Sequence, residues 1–253
     1  MDNGLNAETR NLVDISALQK GVVFGPSIHR LIKQTDSSIC ASLTKNKMKL
    51  SELHKLTGGL SAPSKMPCHG YSIPASACRT GSKLRSVAGS TCSSCYACKG
   101  RYQFDNVQSA LNRRLDAIHN TNWIDWMVIL ISRKERSGYF RWHDSGDLQS
   151  MEHLKNIIEI ANRLPSIKFW LPTRETGLMR QFVRLHGSDS IPENLTIRVS
   201  AAMVGGDAVS IDGCHMSRVD AQGTCPAPQQ GNQCQDCRAC WDKSVNCVTY
   251  SLH

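Results

Sequence analysis

Twelve cysteines in a chain of 253 residues are the side chains best suited to chemistry, and most of them stand at short, regular spacings. "STCSSCYACKG" sets Cys92, Cys95 and Cys98 three residues apart, and "NQCQDCRACWD" repeats that spacing at Cys234, Cys237 and Cys240. Three-residue spacing lets thiolates from one tight loop converge on one metal centre. The C-terminal triplet, with Cys225 followed by Pro226, makes a four-thiolate set of the kind that holds an iron–sulfur cluster. Zinc also accepts four thiolates, usually from two separated Cys-x-x-Cys knuckles, and is the alternative. Cys247 and His253 could substitute as ligands in this group. The earlier group comprises Cys68, Cys78, Cys92, Cys95 and Cys98, one more than a four-ligand site needs. Cys40 and Cys214 stand alone and read as ordinary buried thiols.

The remaining composition restricts where such chemistry would occur. The longest apolar run, "WMVILI", is far too short to span a bilayer, and the polar start "MDNGLNAETR" lacks the apolar core of a secretory signal. The expected compartment is the cytoplasm, without membrane association. Its reducing thiol pool disfavours disulfides, so clustered cysteines there read as metal ligands or redox groups. A net charge of +9 favours an anionic partner, either nucleic acid or a phosphorylated small molecule.

Elements that could position these groups occupy the middle of the chain. Residues 1–60 read as a mixed lead-in, and 61–253 as a single α/β metal-binding domain. Within that domain, cysteine-rich stretches at 66–104 and 206–253 flank βα units at 105–205. "NVQSALNRRLDAIHN" and "WIDWMVILISRKER" have helical spacing, the latter with Ile124, Met127, Val128 and Ile131 on one face. "GYFRWHD", "IKFWLPT" and "LTIRVSAAM" read as strands, separated by the helices "MEHLKNIIEIANRL" and "GLMRQFVRLHG". Strand–helix alternation at this pitch implies parallel pairing. Three or four visible units are too few for a closed eight-stranded barrel, so the expected fold is a partial (β/α) barrel or short parallel sheet.

Parallel folds place functional side chains beyond the carboxyl ends of their strands. Those ends read "RWHDSGD", "PTRE" and "RVSAAMVGGD". His143, Asp144 and Asp147 have the types needed for a base, nucleophile or ligand, while Arg174 and Glu175 could clamp an anion and position a donor. The simpler reading is that Asp144, Ser145 and Asp147 cap the following helix.

"SKMPCHGYSIPASACRTG", "CSSCYACKGRYQFDNV", "YFRWHDSGD", "WLPTRE" and the closing "CPAPQQGNQCQDCRACWDKSVNCVTYSLH" together resemble the bacteriophage gene product 88 family over about residues 60–253. That resemblance implies a phage origin, action in the host cytoplasm during infection and metal binding, without specifying a reaction. It places the early ligands at Cys68, Cys78, Cys92 and Cys95, leaving Cys98 as the extra thiol. "CSSCYA" with a partial barrel is remotely similar to radical S-adenosylmethionine proteins, but departs from their Cys-x3-Cys-x2-Cys loop. The late cysteine triplet is loosely similar to the zinc site of tRNA-guanine transglycosylases, relatives of which place deazaguanines in phage DNA. The expectation is an iron–sulfur protein, of 4Fe-4S type, with an enzymatic pocket at the strand ends. The alternatives are a zinc-dependent nucleic-acid modification enzyme and a binding protein whose loops are stapled by metal.

Overall fold

The structure is a computed structural model that describes residues 48–252; Cys40, His253 and most of the lead-in lie outside them. The compact unit starts at Met48. Six strands form one parallel sheet: β1 (Gly70–Tyr71), β2 (Tyr139–Trp142), β3 (Lys168–Thr173), β4 (Leu195–Ser200), β5 (His215–Asp220) and β6 (Cys247–Ser251). Their spatial order equals their order along the chain. Every connection therefore steps in the same direction, the winding of a barrel that stops before closing, whereas a doubly wound sheet reverses its order at a switch point. The expected fold class is thus found.

Among the described residues six α-helices accompany the sheet: α1 (Leu50–Thr57), α2 (Arg79–Leu84), α3 (Asp105–Ala117), α4 (Trp123–Lys134), α5 (Met151–Arg163) and α6 (Thr176–His186). The anticipated helices and three strands of the middle region are all present. Strands β1, β5 and β6 are additional and lie in segments that read as cysteine-rich and aperiodic. β1 is only two residues long, and β5 and β6 bury too few positions in too irregular an order for a strand pattern to stand out.

Strand register separates two rows of side chains. Phe140, Phe169 and Leu195 align on one face, and Arg141, Trp170 and Thr196 on the other. The first row joins Trp142, Leu171 and Ile197 in the main core, against Trp123, Met127 and Ile131 of α4, Leu154 and Ile157 of α5, and Met179 and Phe182 of α6. Each such fully buried aliphatic or aromatic side chain contributes roughly 1.5–3 kcal/mol. Helix α5 starts at Ser150, whose hydroxyl accepts from the His153 amide, and α6 ends at Gly187 with φ of 77°.

The second row faces a smaller core of Cys68, Trp170, Cys240, Trp241 and Val248. No α-helix joins β5 to β6; residues 221–246 instead cross this face. The Trp241 ring stands edge-on to Tyr139 at 5.5 Å and to Trp170 at 5.3 Å, and its Nε1 donates to the Phe140 carbonyl. The inner face of the partial barrel is therefore filled by the chain's own C-terminal segment. Among the described residues no helix is long and apolar enough to cross a membrane.

Candidate metal centres and strand-end site

Backbone turns at Cys92–Cys95 and Cys95–Cys98, each closed by an amide donating to the carbonyl three residues back, coil the first triplet into one small loop. Cys78 reaches it across Gly81. A side-chain carbon on Gly81 would lie 3.0 Å from Cys78 Cβ and 3.5 Å from Cys92 Sγ, so Gly81 sits in the narrow gap between these two cysteines. Cys98 lies close enough to Cys95 and Cys92 for them to add to the burial that raises its pKa. The structure thus brings Cys98 to Cys78, Cys92 and Cys95, and separates Cys68 from them.

Cys68 lies instead in the inner-face core with Cys240, against Cys225. The Cys234 amide donates to the Lys65 carbonyl, which holds the late triplet beside residues 65–68, and a turn places Cys237 after Cys234. Cys240 Sγ is 3.2 Å from the Tyr250 hydroxyl. Cys214 packs against the main core, apart from both groups, and Cys247 begins β6. Every described cysteine is a free thiol. Burial pushes Cys68 and Cys78 up to about 12, and Cys240 to about 11, despite the Tyr250 hydrogen bond. Such thiols stay protonated at neutral pH unless a metal ion displaces the proton, which disfavours them as free nucleophiles. Among the described residues no set of three or more Cys, His, Asp or Glu side chains is already arranged around a single-ion position.

The first cysteine loop lies across the carboxyl ends of the strands. Gly89 and Thr91 bond backbone to backbone with Val204 and Ala202 beyond β4, and the Thr91 hydroxyl donates to the Ala201 carbonyl. Glu175, just after β3, accepts from the Thr80 amide at 2.8 Å and its hydroxyl at 2.9 Å, anchoring the first turn of α2. Asp147 caps no helix. Its carboxylate accepts from the Leu148 amide, the Thr173 hydroxyl and the Arg174 amide, tying the β2 end to the β3 end. Burial raises this acid to about 6, the three hydrogen bonds opposing. These two carboxylates are structural ties.

His143 is 3% exposed, adopts φ of 54° and packs edge-on to His153 at 5.3 Å. Burial, with His153 and Arg141 adding to it, lowers its proton affinity, and neither ring nitrogen has a protein partner among the described residues. Gly146 is needed nearby: at φ of 83°, any side-chain carbon there would sit 2.3 Å from Ile73 Cγ1. Arg174 turns its Nε toward the Ala201 carbonyl at 3.4 Å and acts electrostatically on Cys92.

Asp144 is different. The Tyr102 hydroxyl donates to its Oδ2 at 2.8 Å and the Tyr96 hydroxyl to its carbonyl, while Oδ1 is buried without a hydrogen-bond partner among the described residues. The Tyr96 ring is half-exposed with its hydroxyl turned inward. Arg141 lies close by, its guanidinium 4.4 Å over the Trp170 ring. Burial works against its charge, but Tyr96, Asp144, Tyr250 and Cys240 outweigh that and hold it protonated. Arg141 also acts electrostatically on Cys68, Cys234 and Cys240, so it stands between the second cysteine group and the Tyr96–Asp144 pair. Arg141, Tyr96 and Tyr102 are absent from the residues nominated by sequence. A usable signal was there: Arg141 is a cation alternating with the core residues Phe140 and Trp142.

Arg198 is the other residue that sequence reading passed over as a site component. It is 0% exposed, and its guanidinium donates to the carbonyls of Ala239, Cys240, Asp242 and Met216 at 2.8–3.2 Å. One strand cation thereby shapes the late cysteine turn.

Compared with known proteins, residues 32–221 match the sequence model of a family described as Gene product 88. The match spans the first cysteine group and the strand-end residues, and stops before Cys225. No curated protein and no solved structure matches the chain.

Proposed function

The chain belongs to the gene product 88 family, and from that premise we propose that it is an iron–sulfur protein with an enzymatic site at the carboxyl ends of its strands. The observation that carries this reading is the gathering of Cys78, Cys92, Cys95 and Cys98 in a loop laid over the end of the barrel where such folds do chemistry. The donors are all sulfur, which suits an iron–sulfur cluster or zinc rather than magnesium or calcium. Cys78, Cys92, Cys95 and Cys98 would hold one group; Cys68, Cys225, Cys234 and Cys240, with Cys237 beside Cys234, would supply the other. A bound iron–sulfur group supplies one-electron transfer.

The chain's own residues then do the binding. Asp144 offers Oδ1 as an acceptor, held in place by Tyr102. Arg141 is fixed by its stacking on Trp170 and supplies positive charge beside Asp144 and the second cysteine group. Tyr96 closes the cap above them, with its hydroxyl on the Asp144 carbonyl. Together they suit a small polar substrate carrying a hydrogen-bond donor for Asp144 and negative charge for Arg141. Asp147, Glu175 and Thr80 hold the frame.

Anaerobic purification followed by metal analysis and an absorption spectrum tests the proposal. The expected protein is brown, with broad visible charge-transfer absorption and stoichiometric iron and sulfide. Colourless protein with stoichiometric zinc overturns the iron–sulfur reading and favours the zinc enzyme.

A further inference from the structure

The charged face beside the cap has no role in the proposed chemistry. From Leu53 to Phe104 the chain contains no Asp or Glu, and neither does α6. Helix α2 exposes Arg79 and Lys83, and α6 exposes Arg180 and Arg184. Each pair is four residues apart, so it points off one side of its helix with a rise of about 6 Å between members. Two hollows beside these helices adjoin through Gly177 and Gln181 and form a groove. A hollow of about 380 Å³ is lined by Arg79, Lys83, Ser150, Glu175, Gly177 and Gln181 among others, and one of about 200 Å³ by Gly177, Arg180, Gln181 and Arg184. Glu175, the acid lining the groove among the described residues, is buried and turned onto Thr80. Glu152 and Asp105 are exposed acids nearby, each in the first turn of its helix.

Among the described residues these four cations stand outside the ion-pair network, and Arg79 Nη1 reaches the Gln149 carbonyl at a long 3.4 Å. Two rows of like charge facing one groove repel each other, so a bound polyanion would relieve a cost the fold otherwise carries. The groove leads toward the cysteine cap, because the turn Tyr96–Cys98 packs against the Ala75–Ala77 turn that runs into α2. There the rings of Tyr96, 49% exposed, and Phe104, 58% exposed, stand at the surface. A cationic track ending in exposed aromatic rings is the arrangement that binds single strands, with phosphates on the cations and bases stacked on the rings.

We propose that the groove between α2 and α6 binds single-stranded nucleic acid, its phosphates lying along Arg79, Lys83, Arg180 and Arg184 and its bases meeting Tyr96 and Phe104. The surface is separate from the metal reading: it requires the folded cap and is indifferent to which metal the cysteines hold.

The test uses the full-length, metal-replete protein and a fluorescein-labelled oligothymidylate, followed by anisotropy across a salt series. Wild type is expected to bind with affinity that falls steeply with salt. The triple variant Lys83→Glu, Arg180→Glu, Arg184→Glu is expected to lose roughly tenfold or more, with the log–log salt slope shallower by about 2, three single-strand contacts having been removed. Lys168→Glu, an exposed charge at the opposite end of β3, should bind as wild type. Phe104→Ala should weaken binding at every salt concentration without changing the slope, which separates stacking from charge. Circular dichroism and metal content check that each variant is folded. Absence of salt-dependent binding by wild type overturns the proposal, as does wild-type affinity in the triple variant. Equal affinity for a duplex overturns its single-strand part, and displacement by millimolar inorganic phosphate would reduce the groove to a small-anion site.

Discussion

At the scale of single residues, the five strand-end groups nominated by type divide by what their polar atoms already hold. Asp147 and Glu175 have their carboxylates committed to tethering adjacent segments, whereas Asp144 keeps Oδ1 unpartnered. Asp144→Asn should therefore leave folding and metal content unchanged, because Asn can still accept from Tyr102 at a stability cost within about 1 kcal/mol. Turnover, ligand binding or the phenotype the gene supports should be lost. Full function in that variant would remove Asp144 from the site. His153 makes a separate pH prediction. Burial, with His119 adding to it, lowers its pKa from 6.5 to about 3, so the unfolded chain binds the proton more tightly than the fold does. Its contribution is undiminished above pH 6.5 and is lost as pH falls toward 3, amounting to about 2 kcal/mol between pH 7.5 and pH 5. His153→Phe preserves a ring against Trp123, at present 5.6 Å away, and should flatten that dependence. Urea midpoints of both proteins at the two pH values measure the difference, and parallel curves would show that His153 does not carry it.

At the scale of elements, what matters is how irregular, cysteine-bearing segments are held by regular ones. Thr80, Thr91 and Glu175 fasten the first loop over the strand ends, and Arg198 on β4 clamps the turn that carries Cys240. Both devices satisfy backbone groups that a loop cannot satisfy by itself, an unpaired buried polar group costing about 1–3 kcal/mol. Arg198→Met fills similar volume but strands the carbonyls of Ala239, Cys240 and Asp242. It should destabilise the fold by roughly 3–5 kcal/mol and deplete metal from the second cysteine group ahead of the first. Denaturant titration with metal quantification checks this, and wild-type metal content in a stable Arg198→Met protein would show that the clamp is dispensable.

At the scale of the whole molecule, the sheet sends the two cysteine groups to different places, the first over the carboxyl ends and the second within the inner face. Cys98→Ala and Cys68→Ala should each lose one group's share of metal, and the double variant both, additively, as separate sites require. Wild-type metal content in Cys98→Ala would return that thiol to the surplus position suggested by the family resemblance. The sequence alone determined the element types of the middle region, because amphipathic periodicity is a local property: Leu154, Ile157 and Ile158 face one way on any helix they form. It also determined the chemistry on offer, since spacing of three in Cys92–Cys95–Cys98 forces a tight loop of thiols wherever it lies. Which thiols meet was decided only by the tertiary structure. Cys68 is ten residues from Cys78 and more than 150 from Cys225, yet β1 begins beside it and draws it into the inner-face core with the C-terminal segment. The same long-range pairing made Asp147 and Glu175 ties and placed Arg141 beside the second cysteine group. Contacts across a parallel sheet depend on register between distant segments, and strands as short as Gly70–Tyr71 leave no local pattern from which that register could be read.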